Sequence, residues 1–168
     1  VMALAVHEGR LHAGTCEPGS NQAGHVYRYE STGKWVDLGS PDACNAVTSL
    51  ASFGGKLHVG TGRYRLAGSS LEESTNPKVG GLIARLESDG TWSEVGRLPN
   101  VEAIGGMVEY RGSLYASSLY KPPGLFKLNA GKGWKECPLP ADGRRVVALG
   151  VFNGWLYATS YDACAVYR

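Results

Sequence analysis

The chain has 168 residues, 43% of them hydrophobic and 19% charged, with a formal net charge of +2 from 17 basic and 15 acidic residues. That length suits one domain with a real core. A balance so close to neutral gives no global reason to expect nucleic acid or an anionic membrane as a partner, and no apolar stretch is long enough to span a bilayer.

The chain opens on VMALAV, already inside a strand and with no signal peptide before it, so it reads as a mature or excised segment. The first element is the hairpin VMALAVHEGRLHAGT from Val1: an apolar run, a two-residue turn ending in glycine, and a second apolar run ending on Thr. The same unit returns without gaps as VTSLASFGGKLHVGT from Val47, IGGMVEYRGSLYASS from Ile104 and VVALGVFNGWLYATS from Val146. A loop of variable length follows each copy. A third short run comes next: HVYRYE from His25, LIARLE from Leu82, LFKLN from Leu125 and AVYR from Ala165. After a glycine-containing turn, a fourth run opens on Trp35, Trp92 or Trp134. Many glycines, nine tyrosines and no long helical pattern agree with an all-β chain.

A four-stranded antiparallel unit repeated at this period is a propeller blade. The expected fold is therefore an all-β propeller, with three complete four-stranded blades (about 1–46, 47–103 and 104–145) and a three-stranded fourth (146–168). We label the runs A to D. Run A carries apolar residues on both sides and should be buried on both. One of its positions is held by Leu4, Leu50, Met107 and Leu149. Another holds only small residues, Ala3, Ser49, Gly106 and Ala148, as crowding at a propeller axis requires. The A–B turns Glu8-Gly9, Gly54-Gly55, Arg111-Gly112 and Asn153-Gly154 suit two-residue hairpins. Acidic Asp37, Glu94 and Glu136 in run D would discourage edge pairing.

The hairpin with -G-x-L-Y/H-, the VYRY-like strand and the Trp of the last strand resemble kelch-type repeats along the whole chain. The departure is at the end of run B, where the kelch glycine pair is replaced by Gly-Thr or Ser-Ser. The C–D turns, SDGTW above all, are also similar to shortened Asp-boxes of sialidase-type propellers, with Asp89 the one acidic residue so placed. Three arrangements complete the ring: a longer propeller of about six or seven blades, a closed ring of four, or two chains forming one larger ring. In the first and third, blades 1 and 4 expose faces that need a partner.

Antiparallel blades send the B–C and D–A loops to one face, and these are the long, varied ones, so binding is expected there. The residues just after run B occupy equivalent positions with unlike chemistry: Glu17, Arg63, Tyr120 and Asp162, the last preceded by Tyr161. With Tyr64, Arg65 and Arg144 they form the candidate ligand-binding set, and Arg145 lies on the same face; against this stands their reading as ordinary polar loop residues. Aromatic rings beside guanidinium groups suit sugars, carboxylates or an acidic partner. Glu17 and Asp162 would make a hydrolase pair only if blades 1 and 4 are neighbours. The long loop from Arg63 contains Glu72, Glu73 and Asn76, three oxygen donors without the alternating ladder of a calcium motif. His12 and His58 share a repeat position with Tyr115 and Tyr157, which reads as packing plus one hydrogen bond. The unmatched Trp155 reads as a contact surface. Cys16 and Cys164 would approach one another only in a four-bladed ring; Cys44 and Cys137 should lie apart, and no CxxC is present.

With no catalytic triad, HExxH or phosphate loop, the expected role is non-catalytic recognition of a protein or glycan, without a cofactor or metal. The alternatives are a propeller-type glycoside hydrolase or lyase, and a structural subunit that forms a homo-oligomer or joins the rest of a larger propeller. Neither the ligand nor the compartment follows from the sequence.

Overall fold

The structure is a computed structural model that describes residues 1–64, 74–120, 122–129, 133–140 and 143–168. Among the described residues every regular element is a strand. Blade 1 contains β1 (Ala3–His7), β2 (Arg10–Gly14), β3 (Val26–Ser31) and β4 (Lys34–Asp37). Blade 2 contains β5 (Ala46–Phe53), β6 (Lys56–Gly62), β7 (Leu82–Leu86) and β8 (Trp92–Arg97). Blade 3 contains β9 (Ile104–Tyr110), β10 (Ser113–Ser118), β11 (Leu125–Asn129) and β12 (Gly133–Cys137). Blade 4 contains β13 (Val146–Phe152), β14 (Trp155–Ser160) and β15 (Ala165–Tyr167). Each sheet is a plain antiparallel meander in chain order, so the fold is the expected propeller-like set of three four-stranded blades and one three-stranded blade.

The hairpin turns show why the repeat is so regular. Both central residues of every A–B turn are left-handed: Glu8 and Gly9 at φ 50° and 72°, Arg111 and Gly112 at 48° and 69°, Asn153 and Gly154 at 48° and 76°. Gly54 and Gly55 do the same at 56° and 71°. That is the mirror-image turn whose twist matches paired strands. It keeps His7 opposite Arg10, Phe53 opposite Lys56, and Phe152 opposite Trp155.

The blades pack in series through their first strands, β1 on β5, β5 on β9 and β9 on β13. Every blade therefore has a trailing face toward the blade before it and a leading face toward the blade after it. Between blades 1 and 2, Ala3, Ala5, Val26 and Leu38 meet Leu50, Val59, Ala84 and Trp92. Between blades 2 and 3, Ala51, Phe53, Ile83 and Val95 meet Ile104, Met107, Phe126 and Trp134. Burying each large side chain in these seams contributes about 1.5–3 kcal/mol. The small residues near the axis are required as expected: a Cβ on Gly106 would lie 2.8 Å from the Val147 carbonyl oxygen.

The repeated tryptophans close the first two seams. The Trp92 indole N–H donates to the Leu38 carbonyl of blade 1 at 2.9 Å. Trp134 lies against Gly96 of blade 2, where a Cβ would come within 3.1 Å of its ring. Asp89 accepts hydrogen bonds from the Thr91 N–H and hydroxyl at 3.0 and 2.7 Å, a turn-building role.

One expectation meets a different outcome at the ends of the arc, and one of the three ring arrangements falls away. The first strand is buried on both sides in β5 but not in β1 or β13, where one side is bare. No packing comparable to the three seams joins β13 to β1, so the four blades form an open arc rather than a closed ring. No disulfide joins Cys16 to Cys164, the pairing that four-blade closure would have allowed.

Candidate functional site

On the loop face, each blade is stapled to the link that leads into the next one. The Glu17 N–H donates to the Asn45 carbonyl at 2.9 Å, and the Arg63 N–H to the Glu102 carbonyl at 2.9 Å. The backbones of Glu17 and Arg63, just after run B, are thus held as part of the scaffold. At the third seam a side chain reaches across: the Arg145 guanidinium donates to the Leu119 carbonyl at 2.8 Å.

Apart from Arg63, whose backbone is stapled to Glu102 at the seam of blades 2 and 3, the described candidate residues fall on two seams. Glu17 and Tyr64 meet around Asn45, between blades 1 and 2. The fully buried Asn45 amide donates to the Tyr64 carbonyl at 3.0 Å and accepts the Tyr64 N–H at 2.8 Å, which fixes the start of the long loop. Arg63 lies beside them, and Arg65, Glu72 and Glu73 lie outside the described residues. Asn76, one of the oxygen donors considered for calcium, is spent on structure. Its amide N–H groups bind the Gln22 and Ala43 carbonyls at 2.9 Å each, and its oxygen accepts the Lys78 N–H at 2.8 Å.

At the other end, between blades 3 and 4, Arg145 organises the second group. Beyond Leu119, its guanidinium donates to the Asp162 carboxylate at 2.8 Å and stands 5.6 Å from the centre of the Tyr161 ring. The ion pair is partly shielded on the arginine side, whose side chain is only 16% exposed, while Tyr161 is 78% exposed. A fixed cation thus lies beside an aromatic face turned to solvent. Tyr120 and Arg144 flank this group in sequence, one on the B–C loop of blade 3 and the other on the link to blade 4. Glu17 and Asp162 sit on the first and last blades of an open arc, so the adjacency that a carboxylate pair would need is not formed within one chain.

A groove of about 670 Å³ opens on the same face, lined by Asp42, Lys78, Gly80, Arg97, Asn100 and Glu102. Asp42 accepts from Arg97 and from the Thr61 hydroxyl, both at 3.2 Å. Sequence reasoning missed Asp42, Asn45 and Arg97 because each acts on a partner far away in the chain: Asn45 on Tyr64, and Asp42 on Arg97. A comparison of the links alone would have marked Asn45, since Glu102 and Arg144 stand at its position.

A second cleft, about 620 Å³, opens between blades 1 and 2 on the hairpin-turn side and is lined by His7, Arg10, His12, Arg28, Lys56 and Glu87, among others. Its charges are largely matched: Glu30 takes Arg10 and Arg28, and Glu87 takes Lys56 and Arg85. These two cations, with the Ser93 side chain, hold the Glu87 carboxyl down at about 2. His12 and His58 prove to be packing residues, each buried and each donating from Nδ1 to the carbonyl two residues earlier, Arg10 at 3.1 Å and Lys56 at 3.2 Å.

No model of a known protein family matches the chain, and no curated protein does. Solved structures do. Virginiamycin B lyase from Staphylococcus aureus superposes over 98% of this chain and 50% of its own, with TM-score 0.68 and 14% identity. A catalytically inactive form of that enzyme, determined with quinupristin, gives the same values. A luciferin-regenerating enzyme superposes over 96% of this chain and 55% of its own, with TM-score 0.58 and 14% identity. The chain thus spans about half the length of the structures it resembles, and at this identity the likeness is one of fold.

Proposed function

We propose that the chain is a non-catalytic binding module of kelch-like type that recognises a protein or glycan through the B–C and D–A loop face. The observation that carries this reading is the group at blades 3 and 4: the exposed Tyr161 ring beside an Arg145 guanidinium that Asp162 and the Leu119 carbonyl hold in place. A ring with a prepositioned cation offers a stacking face for a sugar and a fork for a carboxylate, at little entropic cost on binding. The kelch-like reading rests on the repeat itself, above all the tryptophans that close the first two seams.

The test is a glycan array including uronic-acid and sialic-acid sugars, together with acidic peptides, followed by calorimetry on each hit. Tyr161→Ala should weaken binding by tenfold or more, about 1.4 kcal/mol. Hits whose affinity is the same within twofold in Tyr161→Ala and Arg145→Ala would end this reading. A second reading, an enzyme acting through Glu17 and Asp162, draws on the fact that the solved structures of this shape include enzymes. Turnover of an array sugar by the parent chain, lost in Asp162→Asn, would favour it instead.

A further inference from the structure

The two ends of the arc carry the same surfaces that pair inside it. Leu4 on the trailing face of blade 1 is 60% exposed, while Leu50 and Met107, its counterparts in blades 2 and 3, are 8% and 7% exposed. Trp35 stands where Trp92 and Trp134 close their seams, and it is 41% exposed. Val6, Tyr27 and Tyr29 extend this face along β1 and β3. At the other end, Val166 on the leading face of blade 4 is 69% exposed, while its counterparts Val26 and Ile83 are fully buried. Phe152, which stands where Phe53 packs on blade 3, is likewise exposed, with Tyr157 and Gly150 beside it.

The bare trailing face is thus a repeat of surfaces that always receive a leading face, and the bare leading face a repeat of surfaces that always receive a trailing one. Two unlike, mutually complementary faces make a head-to-tail contact, which closes into a ring when the rotation per unit divides the circle. The superposition takes in 98% of this chain but 50% of the lyase, so the arc amounts to about half of such a structure.

We propose that a second copy of this chain covers both ends, the leading face of blade 4 in each copy seating on the trailing face of blade 1 in the other, to close one ring from two chains. Val166, Phe152 and Tyr157 of one copy then meet Leu4, Val6 and Trp35 of the other, in the manner of Ile83 and Phe53 against Met107 and Trp134. The two junctions also complete the loop face, setting the Tyr161–Asp162 edge of one copy next to the Glu17 edge of the other.

Light scattering on the 168-residue chain reads this directly. The expected result is one species of twice the 17.9 kDa chain mass. A uniform single-chain species, or a ladder of ever larger open assemblies, overturns the proposal. Direction is tested with Leu4→Asp and Phe152→Asp, each checked for native circular dichroism. Each variant alone should run at single-chain mass, and an equimolar mixture should recover a two-chain species, because one junction then joins two unaltered faces. If one variant stays dimeric while the other dissociates, or if mixing restores nothing, the head-to-tail arrangement is wrong.

Discussion

Glu8 and Arg111 hold left-handed backbone at φ 50° and 48° without the local hydrogen bonding that lets asparagine tolerate that region. Asn153, at 48°, shows which side chain the turn prefers. Glu8→Asn should therefore stabilise the chain by roughly 0.5–1 kcal/mol, visible as a rise of about 1–4 °C in a thermal melt; an unchanged or lower Tm would mean that the first turn is not under strain. The buried histidines make a second prediction at this scale. Burial lowers the folded pKa of His12 and His58 below the ordinary 6.5, with nearby cations adding to the effect. The unfolded chain then binds more protons than the folded one in the window from 6.5 down to the lowered values. Stability is accordingly full above that window and lost as pH falls through it. Tm should drop between pH 7 and pH 5, and His12→Tyr with His58→Tyr, the side chain that blades 3 and 4 use, should flatten the drop. An equal pH dependence in the double variant would place the responsible protons elsewhere.

At the scale of the element, the end of each second strand decides how closely the next blade approaches. Gly60 is pressed against blade 3, and a Cβ there would come within 2.7 Å of Ile104. Blade 3 solves the same position differently: the Ser117 hydroxyl donates to the Val147 carbonyl of blade 4 at 2.6 Å and accepts the Gly106 N–H at 2.9 Å. Gly60→Ala should therefore cost about 1–3 kcal/mol by overpacking the seam, measured as a lower denaturant midpoint at unchanged slope; a neutral result would show that the seam can open without loss. This position also shows what the sequence makes legible. The change from Gly-Thr in blades 1 and 2 to Ser-Ser in blade 3 is readable, and so are the strands, the turns and the structural tryptophans, because each depends on short-range pattern repeated along the chain. The role of Ser117 as a bridge between blades is not readable, because its partner Val147 lies in the next repeat. Asn45 and Asp42 were hidden for the same reason: their partners Tyr64 and Arg97 are remote in sequence.

For the whole molecule the decisive property is that stability in a blade array is a sum of blade terms and seam terms, so a blade's protection depends on how many of its faces are covered. Blades 2 and 3 have both faces covered, blades 1 and 4 one each, and blade 4 also has one strand fewer. The site candidates are spread unevenly over this gradient. Tyr161 and Asp162 belong to the least covered blade, with Arg145 on the link into it, while Tyr64 and Asn45 belong to a well-covered seam. In a Leu4→Asp variant held as separate arcs, hydrogen exchange should therefore run fastest in β13 to β15, next in β1 to β4, and slowest in β5, β6, β9 and β10. In the parent chain, coverage of the end faces should bring blades 1 and 4 up toward blades 2 and 3, and with them order the Tyr161–Arg145 group. Equal exchange in the four blades of the separated arc would mean that the array unfolds as one unit, and that covering its ends has no means of tuning the loop face.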